Sequence, residues 1–493
     1  MSPAAASRRL SIRAADEAWR IPDLLTAGGD ERIVLNPKTG LNRYGCAAEP
    51  ADGIAAFGSS TASTISQSAR DTVVRSMGRL TAGASYAQEM RDLRRRLAAL
   101  CGVPAAAADD LILAASGTDL HLIVAALASD GRAPLTTLLA DPAETGRGVP
   151  DAVRGRRFAS LTPHGACGEA GQLLAGAVPG ETLDVPVREP TGALRPLEAV
   201  DRDFERACAL AVARGGPVLL SLVDVSKTGL VAPSADCASR LKARFGDAVM
   251  VLVDACQFRI SNATLADYLG RDFLVAVTGS KFVAGPAFSG ALFVPPGEAA
   301  RLRHRALLPA LGDYTGRMDW PQTWLGREIL PDRPNLGMML RWQAAMHELA
   351  AFRALPEDQV ASFLTSFAAA VSTTLDEVSG LERLAAPTLL RTVSGAWDAR
   401  PTIFPFLPRD RHGPLDPART QALHRRLMRK ASPVQLGQPV TVGVRDGELL
   451  TALRLSLSAR LVVEALATPR GCGRVIERMQ TALAETAAQI GQV

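Results

Sequence analysis

Apolar residues fall into two patterns along the chain. From about residue 110 to 296 they form short continuous runs: "DLILAA" at 110–115, "PLTTLLA" at 134–140, "GPVLLSLVDV" at 216–225, "AVMVLVDA" at 248–255, "FLVAVT" at 273–278 and "GALFVPP" at 290–296. Runs without polar alternation are those of strands buried on both faces, as in a mostly parallel sheet layered between helices. The turn "SGTD" and the helical run "LHLIVAALAS" between the first two give a strand–helix–strand rhythm. The pattern predicts a three-layer α/β/α domain.

Past residue 330 the period becomes helical in "NLGMMLRWQAAMHELAAF" and "EDQVASFLTSFAAAVSTTLDEV", followed by short strands near "TIFPFLP" and "TALRLSLS" and a closing helix from about Arg474 to Ile490. This predicts a smaller α+β C-terminal domain. Before the first strand, Met90, Leu93, Leu97 and Leu100 recur at helical spacing over 86–100, while the first 85 residues read as an irregular arm rich in turn formers. The expected division is an arm (1–85), a large domain (86–330) and a small domain (331–493), with no repeat or low-complexity linker between them.

Composition narrows the class. With 493 residues, 47% hydrophobic and 21% charged, the chain can bury a large core. Its 55 basic and 50 acidic residues are interspersed, and the basic runs "RDLRRRL" and "RLRHRALL" lack aromatics for stacking bases, so no nucleic-acid partner is expected. Seven cysteines show no paired spacing of a metal site and read as reduced thiols. No apolar run approaches the roughly 18 residues of a membrane span, and the first twenty residues lack the apolar core of a signal peptide, so a cytoplasmic enzyme with no membrane partner is expected.

The candidate chemistry sits at strand ends, where open α/β sheets bind ligands. "AASGTD" at 114–119 opens a helix with Ser116, Gly117 and Thr118, a turn able either to hold a phosphate or simply to cap the helix. "VDACQ" ends one strand in Asp254 with Gln257 beyond it, and "VTGSKF" ends another in Thr278, Ser280 and Lys281. "VDVSKTG" at 223–229 brings polar groups to the same mouth. A phosphate turn, an acidic strand end and a later lysine are the parts that pyridoxal 5′-phosphate (PLP) requires: an anchor for its phosphate, a carboxylate beside its pyridinium nitrogen and an amine for its aldehyde.

These residues resemble the fold type I PLP-dependent enzymes, most of all the class V aminotransferase and cysteine desulfurase branch. "VLVDACQ" is similar to that branch's V-D-x-x-Q strand end, "VTGSKFVAGPAFSGALFVPP" to its lysine segment, and "LRLSLS" at 453–458 to its late R-x-S strand. The resemblance implies that Lys281 forms the Schiff base with PLP and moves the proton at the substrate's Cα, that Asp254 pairs with the ring nitrogen, and that Gln257 approaches the phenolic oxygen. It further implies that Ser116, Gly117, Thr118, Thr278 and Ser280 cradle the phosphate and that Arg454 receives the α-carboxylate of an amino-acid substrate. Members of this fold usually form homodimers.

The chain departs from the pattern in three places. Ser280 stands where the branch has a histidine, and "DPAETGRG" at 141–148 places Glu144 or Thr145 where relatives stack a ring on the cofactor. Glu144 there is a candidate acid or base, an anchor for a cationic substrate, or a helix-start cap. The arm offers Tyr44 and the Ser59–Thr64 cluster, able to reach the site of this chain or of a neighbouring subunit, or to serve only as packing. No mobile cysteine of the desulfurase kind is found, so sulfur transfer is not expected. The resemblance implies a PLP-dependent transferase or lyase, expected to perform replacement or carbon–carbon bond formation; an ordinary aminotransferase and a non-catalytic sensor are the alternatives.

Overall fold

The structure, a computed structural model, describes residues 20–493 apart from 386, 388, 392, 394, 395 and 430–432. The signal-peptide reading of the extreme N-terminus therefore lies almost wholly outside the described residues. Chain order begins with a short helix α1 (Ile21–Leu25), a strand β1 (Ala55–Phe57), and helices α2 (Gln67–Thr81), α3 (Tyr86–Leu100) and α4 (Gly117–Ala128). The first large-sheet strands are β2 (Leu111–Ala114), β3 (Thr136–Ala140), β4 (Glu181–Val185) and β5 (Val218–Asp224), with a short β6 (Val231–Ala232) alongside β5. They are completed by β7 (Val249–Ala255), β8 (Leu274–Thr278) and β9 (Gly290–Phe293), in the order β2-β9-β8-β7-β5-β3-β4.

Along that order β4, β3, β5, β7 and β8 pair in parallel, whereas β9 is antiparallel to both β8 and β2. All the strands of the path except β9 thus point the same way. Their carboxyl ends share one edge. Alternate residues feed two cores: Val249, Val251 and Val253 of β7 face one layer, and Met250 and Leu252 face the other, which α4 covers with Leu120, Ile123 and Leu127. Asp254 continues the second series and so faces the α4 side.

The smaller sheet follows the order β1-β13-β14-β11-β10, from β10 (Leu381–Arg383), β11 (Ile403–Asp410), β13 (Val434–Arg445) and β14 (Glu448–Ser456), with β12 (Gly413–Pro414) paired to β11. The arm supplies its edge, since β1 lies parallel to β13 with Phe57 opposite Leu436. Nor is the arm irregular throughout. In α2 the buried residues Ala69, Val73, Ser76 and Leu80 keep helical spacing, and Ser66 caps the helix by accepting from the Ala69 amide at 3.1 Å. Two of those four are small, which hides the stripe from a reading of large apolar residues.

The helix Leu336–Arg353 lies beyond the expected boundary at 330, yet Met338, Trp342, Met346 and Leu349 pack into the core of the large sheet. Its Glu348 accepts from Ser66 at 2.6 Å. Its Arg341, fully buried, donates to the carbonyls of Leu25 (3.1 Å), Gly28 (3.0 Å) and Phe288 (2.6 Å), and so fastens the arm to the loop after β8. No helix among the described residues is long and apolar enough to cross a membrane.

Replacing Arg341 with Met removes these donors and leaves buried carbonyls unpaired. The expected loss is about 3 kcal/mol or more in urea unfolding, with earlier proteolytic cleavage in the 25–35 region; unchanged stability refutes the fastening role.

Candidate active site

The common edge of the large sheet opens on a cavity of about 400 Å³, within the usual size of a ligand site. The strand-end residues singled out from the sequence line it: Ser116, Gly117 and Thr118 after β2, Glu144 and Thr145 after β3, Asp254 and Gln257 at the end of β7, and Thr278, Ser280 and Lys281 after β8. Arg454 of β14 and Tyr44 of the arm close it from the small-sheet side. Tyr44 comes from the same chain, as do Ser60 and Thr61 of the Ser59–Thr64 cluster.

Lys281 is held in a tight loop where Ala284 donates its amide to the Lys281 carbonyl at 2.9 Å and Gly279 donates to Ser289 at 2.9 Å. Ala284 and Phe288 in this loop and Phe258 beside Gln257 all adopt positive φ (67°, 75° and 52°), a strain that clusters at the cavity. The Lys281 side chain makes no hydrogen bond among the described residues. Burial pushes its ammonium below the ordinary lysine range; Arg454 and Arg259 reinforce this and Asp254 opposes it. Its amine is therefore readily unprotonated and nucleophilic towards a carbonyl.

Asp254 accepts from the Cys256 amide at 3.1 Å and lies 3.4 Å from His121 Nε2. Burial alone would raise this carboxyl; the imidazole, the amide and Lys281 outweigh it and hold the group well below the usual carboxylate range. His121, buried in α4, donates from Nδ1 to the Gly117 carbonyl at 2.8 Å, which turns Nε2 towards Asp254. Burial lowers the imidazole's proton affinity, and Asp254 more than reverses this, so the net shift is upward. His121 was missed in the sequence because it sits inside an apolar run; its position four residues after Gly117, on the buried face, was the available signal.

The start of α4 is an anion cradle. Ser116 is the N-cap and accepts from the Asp119 amide at 3.3 Å, while the amides of Gly117 and Thr118 find no partner among the described residues. A Cβ on Gly117 would lie 2.6 Å from Cys256 Sγ and 3.3 Å from Thr278 Cγ2, so only glycine lets the turn approach both strand ends. The Ser116 hydroxyl is hydrogen-bonded to Asp119, Thr278 donates to the Cys256 carbonyl (2.6 Å), and Ser280 donates to Thr278 (3.3 Å). The donors left for a phosphate are thus the two amides and the Thr118 hydroxyl.

Glu144 is a fixed carboxylate rather than a free acid or base. Oε1 accepts from Arg188 Nε (3.0 Å) and Thr228 Oγ1 (2.6 Å), and Oε2 accepts from Ser226 Oγ (2.7 Å) and the Thr228 amide (3.0 Å). The helix-cap reading also fails, since these partners come from the loop after β5 and from Arg188. Arg454 is similarly engaged: Nε and Nη2 donate to the Gln438 carbonyl, Nη2 also to Thr61, and Nη1 to the Lys227 carbonyl at 3.3 Å. Burial lowers its guanidinium to about 10, and one Nη1 N–H remains for a ligand. Gln257 donates to the Ser60 carbonyl at 3.1 Å, which ties the arm to the end of β7.

This donor set fits PLP: an unpartnered amine, an ionised buried carboxylate and free amides at the start of a 12-residue helix share one cavity.

The comparisons with known proteins agree with this at the level of the fold. The architecture is fold type I, the fold of solved PLP-containing structures. A mutant of C-DES with glycine covalently linked to its PLP cofactor matches over 86% of this chain and 96% of its own, at 15% identity and a TM-score of 0.54. The cysteine desulfurase CsdA from Escherichia coli matches over 88% and 95% (14% identity, TM-score 0.52), and TDC from Oryza sativa with PLP and tryptamine over 88% and 83% (14%, 0.51). No protein-family model matches the chain, and no curated protein matches it.

Because the His121 proton is held more tightly in the folded protein than in the unfolded chain, its contribution to stability is complete below about pH 6.5 and is lost as pH rises through the raised value. The stability gap between wild type and His121→Asn should therefore narrow as pH rises above about 6.5 in thermal unfolding. A gap that widens contradicts the pairing with Asp254.

Proposed function

We propose that the chain is a PLP-dependent enzyme acting at the α-carbon of an amino acid. The observation that carries this reading is the meeting of Lys281, Asp254 and the α4 start in one cavity. When bound, PLP supplies an aldehyde that condenses with amines and a protonated ring that accepts the electron pair released at Cα. Lys281 is the amine that holds the aldehyde carbon, and as a free base it takes and returns the proton at Cα. Asp254, kept ionised by His121, holds a proton on the ring nitrogen. The Gly117 and Thr118 amides and the Thr118 hydroxyl hold the phosphate. Arg454 offers its remaining N–H and its charge to the α-carboxylate.

Tyr44, Ser60 and Thr61 wall the cavity from the arm side. The arm wall and the braced Glu144 at the ring-face position favour replacement or carbon–carbon bond formation over plain transamination. Sulfur transfer is not part of the reading: Cys256, the cysteine lining the cavity, is buried, and burial pushes its thiol well up.

Wild-type protein mixed with PLP should develop a visible absorbance band, and borohydride reduction should leave a mass increment on Lys281. Lys281→Ala should show neither, and a colourless wild type ends the reading. Asp254→Ala should fold and bind PLP yet lose turnover by about a hundredfold or more. Incubated with amino acids in deuterated water, the wild type should exchange the Cα hydrogen without accumulating keto acid; stoichiometric keto acid would return the enzyme to the aminotransferases.

A further inference from the structure

We propose that the substrate carries a second anionic group, a carboxylate or phosphate at the end of its side chain, and that Lys227 receives it. The inference rests on the PLP reading for the identity of the site, but its evidence is separate. Lys227 follows β5 and lines the cavity beside Arg454 and Lys281. Three contacts fix it: its amide donates to the Glu144 carbonyl at 3.0 Å, its carbonyl accepts from Arg454 Nη1 at 3.3 Å, and its ammonium donates to the Ala143 carbonyl at 3.0 Å. Two of the three ammonium N–H groups remain for a ligand.

No carboxylate pairs with it directly among the described residues. Glu144 is the nearest, and all four of its hydrogen bonds go to Arg188, Ser226 and Thr228. Of the other carboxylates lining the cavity, Asp254 faces His121, Glu31 accepts from the amides of Ser160 and Leu161, and Asp151 lies on the helix Val149–Val153 without an ion pair among the described residues. Around Lys227 the cations are Arg454, Lys281 and the exposed Arg147, and the one carboxylate acting on it, Glu144, is itself ion-paired with Arg188. An α-carboxylate on Arg454 would leave Lys227 without a paired carboxylate.

A second observation points to a ligand in the same cavity. Thr145, next to Glu144, is buried with its Oγ1 facing no partner although it lines the cavity. A buried hydroxyl without a partner is costly, and a ligand oxygen would satisfy it. Consistent with the uncompensated charge, burial and then Arg454 push the Lys227 ammonium down to about 7, a cost that a bound anion would relieve.

The test uses three compounds that lack an amine and so undergo no turnover: glutarate, its monoamide glutaramate, and 4-phosphonobutyrate. Each is titrated calorimetrically into the full chain at neutral pH, with and without PLP. Glutarate or 4-phosphonobutyrate should bind about tenfold or more tighter than glutaramate, and the tighter of the two assigns the terminal group as carboxylate or phosphate. Lys227→Gln should erase that preference and Lys227→Arg should restore most of it. Equal binding of all three compounds to the wild type overturns the inference, as does a preference untouched in a folded Lys227→Gln. Protein that shows no PLP band but keeps the Lys227-dependent preference removes the cofactor reading and sustains this one; a PLP band without the preference does the reverse.

Discussion

The direction of the strands in the large sheet decides where all the chemistry lies. Because β2, β3, β5, β7 and β8 run the same way, their carboxyl ends share one edge, and the residues just past each end are brought together whatever their distance in sequence. The reversed β9 lets β2 lie at the far side of β8 with the same polarity, which sets the start of α4 against the ends of β7 and β8. Parity within β7 then matters. Asp254 falls on the face covered by α4, where His121 is available; one residue earlier or later the carboxylate would face the opposite core, where burial without a partner is costly.

The cavity is closed by segments far apart in the chain, and buried arginines join them. Arg259 donates to the carbonyl of Leu457 at 2.8 Å and to Ser59 at 3.0 Å, linking the large sheet, the small sheet and the arm. Arg341 and Arg454 likewise give most of their donors to backbone carbonyls rather than to carboxylates. A planar guanidinium satisfies several carbonyls at once, which suits it to junctions where loops from different elements leave carbonyls unpaired. The same arrangement leaves positive charge uncancelled around the cavity.

Two residues that differ from the pattern the sequence resembles take other roles in this structure. Glu144 or Thr145 falls where the resembled enzymes stack a ring, and the four hydrogen bonds of Glu144 make it a brace for the loop after β5. That brace positions Lys227, which no stacked ring would do. Ser280 adds a weak hydrogen bond to Thr278 and leaves the phosphate cradle to the α4 start.

The sequence by itself marked the central strands β2, β3, β5, β7, β8 and β9, because continuous apolar runs identify segments buried on both faces, but not β4 or β13, whose burial is partial; it pointed to the strand ends, because a charge closing such a run demands a partner. It also marked Gly117, Asp254 and Lys281 as parts of one site through their order and spacing. Tertiary structure decided the rest. The stripe of α2 is made partly of small residues, the helix after residue 335 belongs to the large core by packing, and β1 joins a sheet nearly 400 residues away in the chain (434 − 55 = 379 between Ala55 and Val434). His121, Lys227 and the bracing of Glu144 depend on which side chains meet across strand ends, and local pattern holds no record of pairings made through space.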